Sequence, residues 1–159
     1  MVPELVSAAK AYVVGDIFVE GLVGDFSAAD WKVTDSVGHS PIWLLGHVAT
    51  YRQRALAMMG VDQPASPWEA GFVRGTSPAD VPADLDPGIL VQAFHAAQKA
   101  MAARWDALTP EALAKPFGRT LPDGSDTVGG ALAFMAWHEA YHLGQLGFMR
   151  RVAGKPGRA

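Results

Sequence analysis

The chain has 159 residues, half of them hydrophobic and 18% charged, with 16 acidic against 13 basic side chains and a formal charge of −3. A chain of that length and polarity buries roughly 68–70% of its unfolded surface, so the expectation is one folded domain over 1–159 rather than a disordered segment. The net negative charge argues against a nucleic-acid partner, and the absence of cysteine removes disulfides, thiolate ligands and a cysteine nucleophile together.

The opening stretch, MVPELVSAAKAYVVGDIF, is punctuated by Glu4, Lys10 and Asp16. It reads as neither a signal peptide nor a membrane span, and the expected location is the cytoplasm. Leu5, Ala9, Tyr12, Val13, Val19 and Val23 recur at helical spacing, which predicts a first helix over Pro3–Val23 with Pro3 in its first turn. Gly24 and Asp25 break it, and Ser27 is placed to cap a single helical turn to Trp31. A second helix is predicted from His39–Pro41 to about Met59, stopped by Gly60, with Leu44, Val48, Tyr51 and Ala55 on its apolar stripe. His47 lies beside that stripe.

Residues 61–86 carry Pro64, Pro67, Pro78 and Pro82 with Gly71 and Gly75. They read as a long irregular connection, which in a compact domain crosses a bundle or shapes a site. Asp86-Pro87 is a strong helix start, and Leu90, Phe94, Ala97, Met101, Trp105 and Leu108 extend a third helix by alternating four- and three-residue steps. A second turn-rich stretch covers Thr109–Gly124, where PDG at 122–124 suits a tight turn between two short extended pieces. Asp126 or Thr127 caps a fourth long helix that runs to about Val152. Four amphipathic helices joined by two long crossover connections predict an all-α four-helix bundle, a fold that places ligands on inward side chains of facing helices.

Five histidines are present. His39 reads as a helix-entry residue, and His95 points about 100° away from core-facing Phe94. His138 and His142, in WHEAYHLGQLGFMRR, are four apart and share a helix face, with Cβ atoms about 5–6 Å apart. Two imidazoles so placed can reach one divalent ion at about 2.0–2.1 Å, and His47 from another helix is available as a third. From spacing alone, metal binding and hydrogen-bonded core histidines both stay open. HEAYH also matches the H-E-x-x-H of zinc proteases, with Glu139 as general base. Against that, no His, Asp or Glu follows His142, and the longer form of the motif meets Gln145 and Phe148 where it needs glycine and histidine. Glu139 then reads as a flanking residue that orients a neighbour or pairs with a basic side chain. Gln145, Tyr51 and Glu139 are the candidate pocket residues beside the histidines. Trp43, Tyr51, Trp137 and Tyr141 are candidates for an apolar wall.

The segments SVGHSPIWLLGHVATYRQRAL, FVRGTSP and HEAYHLGQLGFMRR resemble the DinB-like (damage-inducible, YfiT-like) four-helix-bundle superfamily, in order and over nearly the whole chain. The resemblance implies a metal site formed by His47, His138 and His142, holding one divalent ion such as nickel, zinc or iron, and commonly a homodimer. Relatives that use low-molecular-weight thiols imply a thiol co-substrate and transfer to a small electrophile. A metal-dependent hydrolase and a non-catalytic metal- or ligand-binding protein need the same three ligands and remain rival readings. The five tryptophans and six methionines exceed what a small core must use, which also fits paired bundles.

Overall fold

A computed structural model describes residues 1–158. Five α-helices carry the fold: α1 (Val6–Val23), α2 (Pro41–Met58), α3 (Pro87–Ala102), the single turn α4 (Pro110–Leu113) and α5 (Val128–Val152). Among the described residues there is no strand, and one isolated antiparallel bridge joins Pro116 to Thr127. The helix starts follow from local chemistry. Proline fills the first position of α2, α3 and α4, while the side chains of Ser40, Asp86, Thr109 and Thr127 accept a backbone N–H at the open ends of α2, α3, α4 and α5. Gly60 (φ 77°) and Gly154 (φ 76°) take the left-handed conformation just past α2 and α5.

Each of α1 and α2 packs against both α3 and α5, so α1 lies diagonally across the bundle from α2. Two core clusters give the helix directions. Val19, Leu22, Trp43, Leu44, Leu90 and Met149 meet near one pole; Leu5, Ala9, Leu56, Met59, Met101 and Leu132 meet near the other. Therefore α1 runs parallel to α5 and antiparallel to α2 and α3. The connection over 59–86 leaves α2 at one pole and enters α3 at the other, so it must travel the length of the bundle. On its way it forms short 3₁₀ turns at Glu69–Phe72 and Pro78–Asp80. The connection over 103–127 begins and ends at the same pole.

Three boundaries differ from expectation. Pro3–Leu5 is a 3₁₀ turn leading into α1, and the turn expected at Ser27–Trp31 is a 3₁₀ helix at Asp30–Lys32. The third helix stops at Ala102 rather than Leu108, although Trp105 and Leu108 are buried as their spacing requires. Pro110 excludes Thr109 from helical backbone, and the Arg104 guanidinium turns back to donate to the Met59 carbonyl at the end of α2 (2.9 Å). The two short extended pieces meet at the 116–127 bridge, closed by Leu121 N–H to Ser125 O (2.7 Å).

Candidate metal centre

His47 on α2 faces His138 and His142 on α5 across an antiparallel helix pair. The His138 Nε2 lies 3.2 Å from Nε2 of both His47 and His142, and one nitrogen of each ring falls within 4.8 Å of the other two. Two nitrogens bound to one ion at about 2.0–2.1 Å and a tetrahedral angle stand about 3.3 Å apart. The observed separations suit that geometry.

The outer nitrogens decide which way the lone pairs point. His47 Nδ1 donates to the Phe72 carbonyl (2.7 Å), and His142 Nδ1 donates to Gln145 Oε1 (2.6 Å). Each ring therefore turns an unprotonated Nε2 inward toward His138. A proton on His138 Nε2 satisfies one of these two acceptors and leaves the other unsatisfied at a cost of about 1–3 kcal/mol. A cation placed between the three satisfies them all, so the donor set fits a divalent ion. His138 Nδ1 is buried without a hydrogen-bond partner among the described residues.

Burial keeps the three rings neutral, as metal ligands must be. Desolvation, opposed in part by the Phe72 carbonyl, brings His47 down to about 4. Desolvation together with the two neighbouring imidazoles brings His138 down to about 3. His142 is lowered as well, mainly by desolvation, with Gln145 acting in the opposite sense.

Aromatic rings fix the imidazoles from the side. Trp43 stacks on His47 with centroids 4.7 Å apart, and Tyr51 lies 4.6 Å from His47 and 4.8 Å from His138. Trp43 is itself tethered, its indole N–H donating to Thr76 Oγ1 (3.1 Å). These residues floor a cleft of about 700 Å³ whose rim includes Trp137 and side chains from both long connections. Tyr141 lies outside that cleft, against His142 with ring centroids 5.1 Å apart.

Glu139 is placed elsewhere. Its carboxylate faces the bundle interior and accepts from Arg52 Nε (2.5 Å) and Arg52 Nη2 (2.7 Å). Arg52 also donates to Asp16, to the Phe94 carbonyl and to the Tyr12 carbonyl. Burial pushes the Glu139 carboxyl upward, and the two bonds from Arg52 oppose that push. Gly15 on α1 provides the room, since a β-carbon there would lie 2.5 Å from Glu139 Oε1. His39 bonds Asp35 (2.9 Å), and His95 bonds Asp16 (2.9 Å) and Glu20 (3.1 Å), so neither joins the histidine cluster.

Sequence reasoning missed the Phe72 carbonyl, because a backbone acceptor leaves no mark in residue identity. It also missed Arg52 as the partner of Glu139. The signal available was a lone arginine five residues past His47 on an apolar stripe.

A bundle of four long helices with three histidines converging across α2 and α5 defines a class of helical bundles with a candidate histidine metal site. The sequence profile of the DinB superfamily matches residues 19–146, which contain all three histidines, and the chain belongs to that superfamily. No curated protein matches the chain. No helix among the described residues is long and apolar enough to cross a membrane.

Proposed function

We propose that the protein holds one divalent ion, zinc, nickel or iron, on His47, His138 and His142 and uses it to transfer a small thiol to an electrophile. The observation that carries this reading is the inward convergence of three neutral Nε2 atoms at the floor of an open, aromatic-walled cleft. A divalent ion on three neutral imidazoles keeps its full charge and acidifies a coordinated thiol or water. The chain has no cysteine, so the thiol comes from solution. Trp43, Tyr51 and Trp137 offer apolar surface to the electrophile. In the transfer, the thiol proton leaves to solvent, a sulfur–carbon bond forms, and the leaving group departs or a strained ring opens. The hydrolase alternative loses its general base, because Glu139 is turned inward and held by Arg52.

The test offers metal-loaded protein glutathione, bacillithiol, mycothiol or cysteine with a chloro-dinitrobenzene or an epoxide. Conjugation is expected to require both metal and thiol and to vanish in His47→Ala. Elemental analysis of tag-free protein should find about one ion per chain, and the His138→Ala, His142→Ala double variant should lose it. Ester or amide cleavage without thiol-dependent conjugation would replace this reading with the hydrolase, and unchanged metal in the double variant would remove the site. We further propose that the chain forms a symmetric homodimer.

A further inference from the structure

The rim of the histidine cleft carries three arginines from three separate parts of the chain. Arg54 comes from α2, two turns beyond His47; Arg74 comes from the connection between α2 and α3, two residues past Phe72; Arg119 comes from the connection between α3 and α5. No aspartate or glutamate lines the cleft. None of the three guanidinium groups has a carboxylate within 4 Å among the described residues, whereas the buried arginines that serve the fold do: Arg52 pairs with Glu139 and Asp16, and Arg150 with Asp25. The chain has more acids than bases, so an acid-free arginine trio is not a by-product of a basic composition. Arg54 is also held in place, its guanidinium 4.8 Å over the Tyr51 ring that touches two of the histidines.

The floor contributes no negative charge, being built of three imidazoles and aromatic rings, and a divalent ion there would add to the positive total. Like charges gathered in a concave, partly apolar space focus a potential that raises the local concentration of anions. Guanidinium forks match the planar geometry of a carboxylate, and of phosphate, through paired hydrogen bonds. We propose that the cleft takes a small substrate bearing a carboxylate or similar oxyanion, held by Arg54, Arg74 and Arg119, with its reacting end directed to the three histidines. The inference rests on the metal reading only for where the reacting end lies; the anion contact stands on the arginines alone.

The experiment titrates succinate, inorganic phosphate and the uncharged analogue succinamide into metal-free and zinc-loaded protein by calorimetry, at low and high salt. Arg74 and Arg119 are exposed connection residues, so Arg74→Gln and Arg119→Gln leave the core untouched. Succinate or phosphate is expected to bind the wild type and weaken with salt, and the double variant to lose roughly tenfold in affinity. Arg151→Gln, outside the cleft, should change nothing. Preference for succinate assigns a carboxylate ligand and preference for phosphate assigns a phosphorylated one. Oxyanion binding no stronger than that of succinamide, or unchanged in the double variant, overturns the proposal. Zinc bound without oxyanion affinity overturns this inference alone; oxyanion affinity in a protein that takes up no zinc overturns the metal reading alone.

Discussion

Glu139 follows His138 directly, yet a helix turns about 100° per residue, and that rotation sends its carboxylate to Arg52 instead of the cleft. The side chains of both partners are almost fully enclosed, at 0% and 5% exposure. Neutralising one member of a buried pair costs up to about 3–5 kcal/mol, part of which Asp16, 3.1 Å from Arg52, offsets here. Glu139→Gln should therefore lower the unfolding free energy read from denaturant melts by up to that amount while zinc content at low temperature stays at the wild-type level. Loss of zinc with unchanged stability would return Glu139 to the site. The histidines give the second prediction at this scale. Their protonation is depressed from 6.5 to about 4 for His47 and about 3 for His138. Between pH 6.5 and those values the unfolded chain binds protons that the folded chain refuses, so stability falls as pH drops through that window. Denaturant melts of metal-free protein should show this decline, and it should be shallower in His138→Phe. Parallel profiles for the two proteins would exclude His138 as a contributor.

At the scale of elements, the 3₁₀ turn at Glu69–Phe72 reaches the site because Gly46 lets it approach α2. A β-carbon at Gly46 would lie 2.3 Å from the Phe72 ring. Alanine there gains up to about 1 kcal/mol of helix propensity, but overpacking costs about 1–3 kcal/mol and displaces the carbonyl that orients His47. Gly46→Ala should weaken zinc binding by about 10–100-fold, read by competition with a chelator; wild-type affinity would show that the Phe72 contact is dispensable. The starts of α2, α3 and α5 were legible in the sequence because Pro41, Asp86-Pro87 and Thr127 act through neighbouring backbone. The 138/142 pair was legible because one helix fixes its spacing. The end of α3 was not, since Trp105 and Leu108 can satisfy a burial pattern after the backbone has left the helix. Arg74 and Arg119 were equally opaque, their surroundings being set by contacts many residues away.

Across the whole molecule, the tryptophans divide. Trp31, Trp43, Trp68 and Trp105 are buried, while Trp137 stays 59% exposed. The apolar excess gathers on α1 and α5, where Val14, Ile17, Phe18 and Phe148 stand open to solvent beside a groove between the two helices. Isolated surface apolar residues are ordinary; a contiguous patch along two parallel helices is the kind of surface a partner covers. A second copy related by a twofold axis would bury the same patch on both chains. Light scattering at micromolar concentration should give twice the 16.9 kDa chain mass, and Ile17→Glu should halve it. The mass of a single chain for the wild type would refute the dimer.

The histidine cluster joins positions 47 and 138, 91 residues apart in the chain. A bound ion there is a cross-link, drawn between two antiparallel helices by a protein that has no cysteine with which to make a disulfide. A covalent bridge closing a loop of that length removes on the order of 4–5 kcal/mol of unfolded-chain freedom. An ion acts by mass action instead, adding stability in proportion to the logarithm of its concentration over its dissociation constant. The staple can be withdrawn by a chelator and restored without redox chemistry. With an ion bound, the seam between α2 and α5 would be tuned by metal supply, whereas α3 is joined to α1 by apolar packing and by the bonds of His95 to Asp16 and Glu20.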